Sequence, residues 1–187
     1  YSDEWVAEAA RRGLPNLKDT VAALEHYDDP EVMEVFLRNK VLSEAEILAR
    51  QEILQENYAL SVGLEASVLE RMLRESILPV TLRAQSEAAG LVAAIRAVEG
   101  ASTSSPEERR YTAFRTHNTE LMAALDELAA AREEMAKKED APARARAARD
   151  TLLPIMARCR EHCDALEAMT DDALWPLPKY AEMLWTH

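Results

Sequence analysis

The run from Ser43 to Gly100 limits what this chain can fold into more than any other segment. Ser43-Glu44-Ala45-Glu46 has the capping-box spacing, in which a serine hydroxyl accepts a backbone amide and the glutamate carboxylate reaches back to the cap amide. A helix is expected from Glu44. Apolar side chains then recur at Ile47, Leu54, Tyr58, Val62, Leu69, Met72 and Ile77, one stripe of a helical period with no strand-like alternation competing. Gly100 and the polar Ala-Ser-Thr-Ser-Ser behind it stop the run, and Pro79 interrupts it once. At 1.5 Å per residue the part before Pro79 spans on the order of 50 Å. Other elements must lie along it.

The remainder reads as helix too. Ser2-Asp3-Glu4-Trp5 opens a short helix ending at Gly13, Thr20 is expected to cap a short turn ending near Glu25, and Asp29-Pro30 sets an N-cap with proline at the first helical position of a helix to about Asn39. These pieces are too short to stand alone and must pack on the long helix or on a neighbouring domain. Pro106 opens a helix with a heptad at Tyr111, Phe114, Asn118, Leu121, Leu125, Leu128, Arg132 and Met135. Asn118 in that seam either specifies register or, the favoured reading, hydrogen-bonds a neighbouring carbonyl. Asp140-Ala141-Pro142 starts a further helix with a stripe of Leu152, Met156, Cys159, Cys163 and Leu166, closing near Thr170.

A short repeat links two of these helices. Arg74-Glu-Ser-Ile-Leu-Pro-Val80 matches Arg149-Asp-Thr-Leu-Leu-Pro-Ile155, with a hydroxyl residue three before each proline. A proline inside a helix removes a donor and clashes one turn back, so Pro79 and Pro154 need a shared structural reason. Counting residues up and down the helices places the two kinks side by side on parallel helices of an antiparallel bundle. The expected fold is therefore all-α: an antiparallel bundle of long, proline-kinked helices over residues 43–170, short helices over 1–42, and a tail over 171–187.

That tail differs in kind. Trp175, Pro176, Leu177, Pro178 and Tyr180 concentrate aromatic and proline residues that a free tail rarely carries, so docking is expected, on this domain's own core before any intermolecular surface. Trp5 is the matching aromatic near the other end.

Chemistry is scarce. A net charge of −12 repels nucleic acid and anionic membranes. The basic run Arg144-Ala-Arg146-Ala-Ala-Arg149 reads first as a solvated helix face and only secondarily as a phosphate or partner site. No secretory signal and no membrane-length apolar run are visible, so a cytoplasmic location is expected. The start at Tyr1 without methionine reads as a piece of something longer. Cys159 and Cys163 lie one turn apart on a helix, where bridge geometry is not met and two further metal ligands are lacking; both are expected as small buried hydrophobes. His26, His117, His162 and His187 complete no di-iron pattern, and no phosphate loop or zinc motif is present. No catalytic, cofactor-binding or metal-binding residue is assigned.

Leu174-Trp-Pro-Leu-Pro-Lys-Tyr-Ala-Glu-Met-Leu184 resembles the C-terminal signature of type III glutamine synthetases. Tyr1-Ser-Asp-Glu-Trp5, Arg12-Gly-Leu-Pro-Asn-Leu17, Val41-Leu-Ser-Glu44 and Ile77-Leu-Pro79 are similar to segments of that family's C-terminal region, in the same order. The resemblance implies a parent ligase that joins ammonia to glutamate with ATP and magnesium, built as stacked hexameric rings. It also implies that the metal, nucleotide and glutamate sites lie upstream, so this region would be catalytically silent and would partner the upstream catalytic domain. The alternative is a free-standing helical adaptor or oligomerisation module, favoured by the heptad of residues 111–135.

Overall fold

The computed structural model describes residues 2–100, 105–178 and 180–184. Tyr1, the loop after Gly100, His187 and the Tyr180 side chain, all named above, lie outside the described residues or side chains. Among the described residues there is helix and no strand: α1 Asp3–Arg11, α2 Thr20–Glu25, α3 Pro30–Arg38, α4 Glu44–Met72, α5 Leu78–Glu99, α6 Pro106–Ala136, α7 Ala141–Ala147, α8 Leu153–Met169 and α9 Tyr180–Met183. A π-turn, Leu73–Ile77, joins α4 to α5, and a second, Ala148–Leu152, joins α7 to α8. The all-α expectation holds.

The helix ends follow local chemistry. At α4 the capping box forms in full: the Ser43 amide and hydroxyl both donate to Glu46 Oε2 at 2.7 Å, and the Glu46 amide donates back to Ser43 Oγ at 3.4 Å. At α2 the cap is Asp19, not Thr20; its carboxylate accepts the Ala22 amide at 2.8 Å, and Thr20 is the first helical residue. A carboxylate one position earlier satisfies the same orphan donor and adds favourable charge at the helix start. Asp29 occupies the cap of α3 with Pro30 behind it, but makes no side-chain cap bond and instead faces His26 Nδ1 at 2.8 Å. Both α1 and α3 stop in a left-handed residue, Gly13 at φ 74° and Lys40 at φ 56°. The same pair of bonds closes each end: Gly13 N–H to Ala10 and Leu14 N–H to Ala9, Lys40 N–H to Leu37 and Val41 N–H to Phe36.

Two compact units emerge, residues 1–62 with 135–150, and residues 63–134 with 151–187. In the first, α2 buries Val21 and Leu24, α4 buries Ile47, Gln55, Ala59 and Val62, and α7 buries Ala141 and Ala145. In the second, α6 supplies Phe114, Leu121, Leu125 and Leu128 on the expected heptad, and α8 supplies Ile155, Cys159 and Leu166. The stripe expected on α4 needs correcting. Leu54 and Met72 are exposed, while Ala59, Ala66 and Leu73 are buried. Small alanines let a neighbouring backbone approach, so the inward face is chosen by fit rather than by size of side chain.

Polar pairs fix the register of the second unit. α6 runs antiparallel to the strip of chain before it, through Arg74 with Asp126, Thr81 with Asn118 and Arg96 with Glu108. It runs antiparallel to α8 through Arg158 with Glu127, His117 with His162 and Arg110 with the Met169 carbonyl. The repeat around the prolines now has its structural reason. Each copy contains a π-turn ending two residues before its proline, Ile77 before Pro79 and Leu152 before Pro154. After Leu73 the ladder reaches back five residues, with Leu78 N–H bonding the Leu73 carbonyl. The wider turn makes room where a ring in a regular helix would strike a carbonyl. Ile77 and Leu152, equivalent in the repeat, are both fully buried. The two prolines are not quite level: Arg74 and Arg158 face neighbouring residues of α6, which leaves Pro79 and Pro154 on opposite sides of that rung, about two and a half turns or roughly 13 Å apart.

Candidate functional site

Within the first unit each arginine of the basic run, two on α7 and one in the second π-turn, meets an acid from another element. Arg144 Nη2 lies 3.3 Å from Glu56, Arg146 Nη1 3.2 Å from Glu25, and Arg149 Nη1 3.3 Å from Asp19. Arg149 also holds Asp150 through Nε at 2.6 Å. Arg146 is exposed and Arg144 and Arg149 are half-buried, and the acids they meet lie up to 130 residues away in sequence. The α2 cap amides, chiefly Ala22, together with the Arg149 guanidinium, hold the Asp19 carboxyl below its usual range. Arg149 does the same to Asp150, and the Ser43 amide and hydroxyl do it to Glu46. Gln51 completes the arrangement, donating to the Leu24 carbonyl at 2.8 Å and to Asp28 at 2.9 Å.

The second unit carries a buried polar cluster. Thr81 Oγ1 donates to Asn118 Oδ1 at 2.7 Å, and Asn118 Nδ2 donates to Gln85 Oε1 at 2.9 Å and to the Thr81 carbonyl at 3.3 Å. Asn118 thus bonds a neighbouring carbonyl, with two side chains added. On the opposite flank of α6, His117 Nδ1 lies 3.2 Å from His162 Nδ1, so one ring donates and the other accepts. Glu70 bridges two helices by accepting from Arg74 at 3.1 Å and from Arg132 at 2.7 Å. That bridge explains an arginine on the heptad seam.

Both cysteines are free thiols, Cys159 buried and Cys163 partly so. Burial pushes both up, Cys163 to about 11 with Asp164 and Glu167 adding to the effect. Neither is a poised nucleophile.

Trp5 is half exposed with the Arg12 guanidinium 5.9 Å above its ring, and Pro79 and Pro154 are exposed on their helices. Trp175 is buried, Leu177 is half-buried, and Pro176 and Pro178 are exposed. Trp175 sits by a groove lined by Arg160, Asp164, Thr170, Leu177 and Met183. Among the described residues no group of three or more His, Cys, Asp and Glu could hold a metal ion. No described helix is long and apolar enough to cross a membrane.

Residues 1–96 match the family model described as the glutamine synthetase C-terminal domain. The whole chain is 31% identical to a protein of Bacteroides fragilis named glutamine synthetase, of which it covers 26%. It is 27% identical to a glutamine synthetase of Butyrivibrio fibrisolvens, covering 27% of it, and 28% identical to the type-3 glutamine synthetase of Dictyostelium discoideum, covering 26%. The chain therefore spans about a quarter of the length of the curated relatives it matches.

Proposed function

Because this chain belongs to the glutamine synthetase C-terminal domain family, we propose that it is the helical C-terminal region of an enzyme that ligates ammonia to glutamate with ATP. Its part is structural. It supports the catalytic portion and the assembly of subunits into stacked hexameric rings in the cytoplasm, and carries out no step of the reaction itself. The observation that carries this is coverage: all of this chain is matched within a quarter of each relative, which leaves three quarters for the reacting centre.

The parent reaction uses ATP and magnesium. Among the described residues no group of three or more His, Cys, Asp and Glu could hold a metal ion, and the Arg144, Arg146 and Arg149 side chains are matched with carboxylates of the same unit. No step of the ligation is therefore derived on these residues.

The test compares the full-length polypeptide with a version lacking this region, by glutamine-forming assay and by mass in solution. The shortened enzyme is expected to lose ring assembly, and the 187-residue chain alone to form no glutamine. Normal assembly and turnover without the region would overturn the structural role. Turnover by the isolated chain would overturn its silence.

A further inference from the structure

The first unit carries apolar surface that its own fold does not use. In α1, Trp5 and Val6 are 48% and 44% exposed, and no residue of that helix is buried. In α3, Val32 and Val35 are 37% and 53% exposed, and again none is buried. Both helices are amphipathic by pattern. α1 exposes Val6 and Ala10 together with Trp5, over whose ring the Arg12 guanidinium lies, and leaves Ala9 half-buried; α3 exposes Val32 and Val35 beside the half-buried Met33 and Phe36. A short helix gains most of its stability from burying its apolar face, and here that face meets water.

We propose that the outward apolar faces of α1 and α3 are the docking surface for the preceding part of the same polypeptide, the portion that makes up the other three quarters of the matched relatives. This rests on the synthetase reading above and adds to it the surface that makes the contact. One observation chooses this occupant over a second copy of the chain: the chain covers only about a quarter of each relative, so a portion about three times its length is available to cover these faces. Capping both helices with a left-handed residue fixes their ends without consuming the apolar side chains, which leaves those faces ordered and available.

Hydrogen–deuterium exchange tests this on two proteins: the full-length polypeptide translated from the gene, and the 187-residue chain. Amides of residues 3–11 and 30–38 are expected to exchange at least tenfold more slowly in the full-length protein at any concentration, with those of residues 114–128 unchanged. In parallel, Val6→Glu with Val35→Glu should leave the melting temperature of the short chain as it was and abolish the added protection in the long one. Equal exchange in both proteins would overturn the proposal while leaving the synthetase reading intact. Protection that appears in the short chain as its concentration rises would overturn it in favour of a second copy. A gene with no synthetase region ahead of this one would overturn both.

Discussion

At the scale of single residues, Asp19 and Lys40 make separate points. Asp19 is held low in the fold by the cap amides and Arg149, so its contribution is complete above the unfolded carboxylate value of about 4 and is lost as pH falls through the lower, folded value. Asparagine caps as well as aspartate, so Asp19→Asn removes the charge and keeps the cap. The variant is expected to melt below the parent at pH 7, and the gap should narrow as pH falls below about 4 and onward through the lower folded value; a gap that does not change with pH would refute the ion-pair account. Lys40 is a side chain in a left-handed backbone position that Gly13 fills in the equivalent place on α1. Lys40→Gly should raise stability by about 1 kcal/mol, read from the denaturant midpoint, provided the αL strain exceeds the glycine's extra unfolded entropy. The sequence made the glycine cap visible and hid the lysine one, because nothing in the identity of Lys40 announces its dihedral angle. The His117 and His162 contact was hidden for a similar reason, since 45 residues separate the partners and neither is placed by local spacing.

Elements were easier to read than the faces they bury. The capping box at Ser43, the proline starts at Pro30 and Pro106 and the heptad of α6 are local patterns, and each forms where its residues stand. The inward stripe of α4 is decided by the neighbours of Ala59 and Ala66, which the sequence does not specify, and so Leu54 and Met72 were misplaced. The repeated Leu-Pro segments pointed to a shared device without naming it. A π-turn does the work assigned to a kink, and it makes the proline tolerable while the buried isoleucine before it holds the turn in place. Ile77→Ala should therefore cost about 2–5 kcal/mol, whereas Pro79→Ala should change stability by less than about 1 kcal/mol. Equal losses by chemical denaturation would mean that the proline, not the packing, maintains the π-turn.

For the molecule as a whole, the Trp175 side chain is buried in the second unit, and Trp175→Ala is expected to lower stability by about 3–5 kcal/mol. An unchanged melting temperature would refute internal docking. Composition and charge were enough to read the all-helical class, and the tail motif pointed to the family. The division into two units was not legible, because α4 and the second π-turn run through the boundary with no linker composition to mark it. Neither unit is continuous in the chain: residues 135–150 complete a unit begun by residues 1–62. During synthesis, at roughly 5–20 residues per second, the first residues must therefore wait several seconds for their complement. The second unit waits longer still, because its residues 151–187 emerge after residues 135–150 have completed the first, so the first unit should close on the ribosome ahead of the second. Arrest-peptide force profiles should register tension from the closing of residues 135–150 onto the start of the chain before any from the docking of residues 151–187.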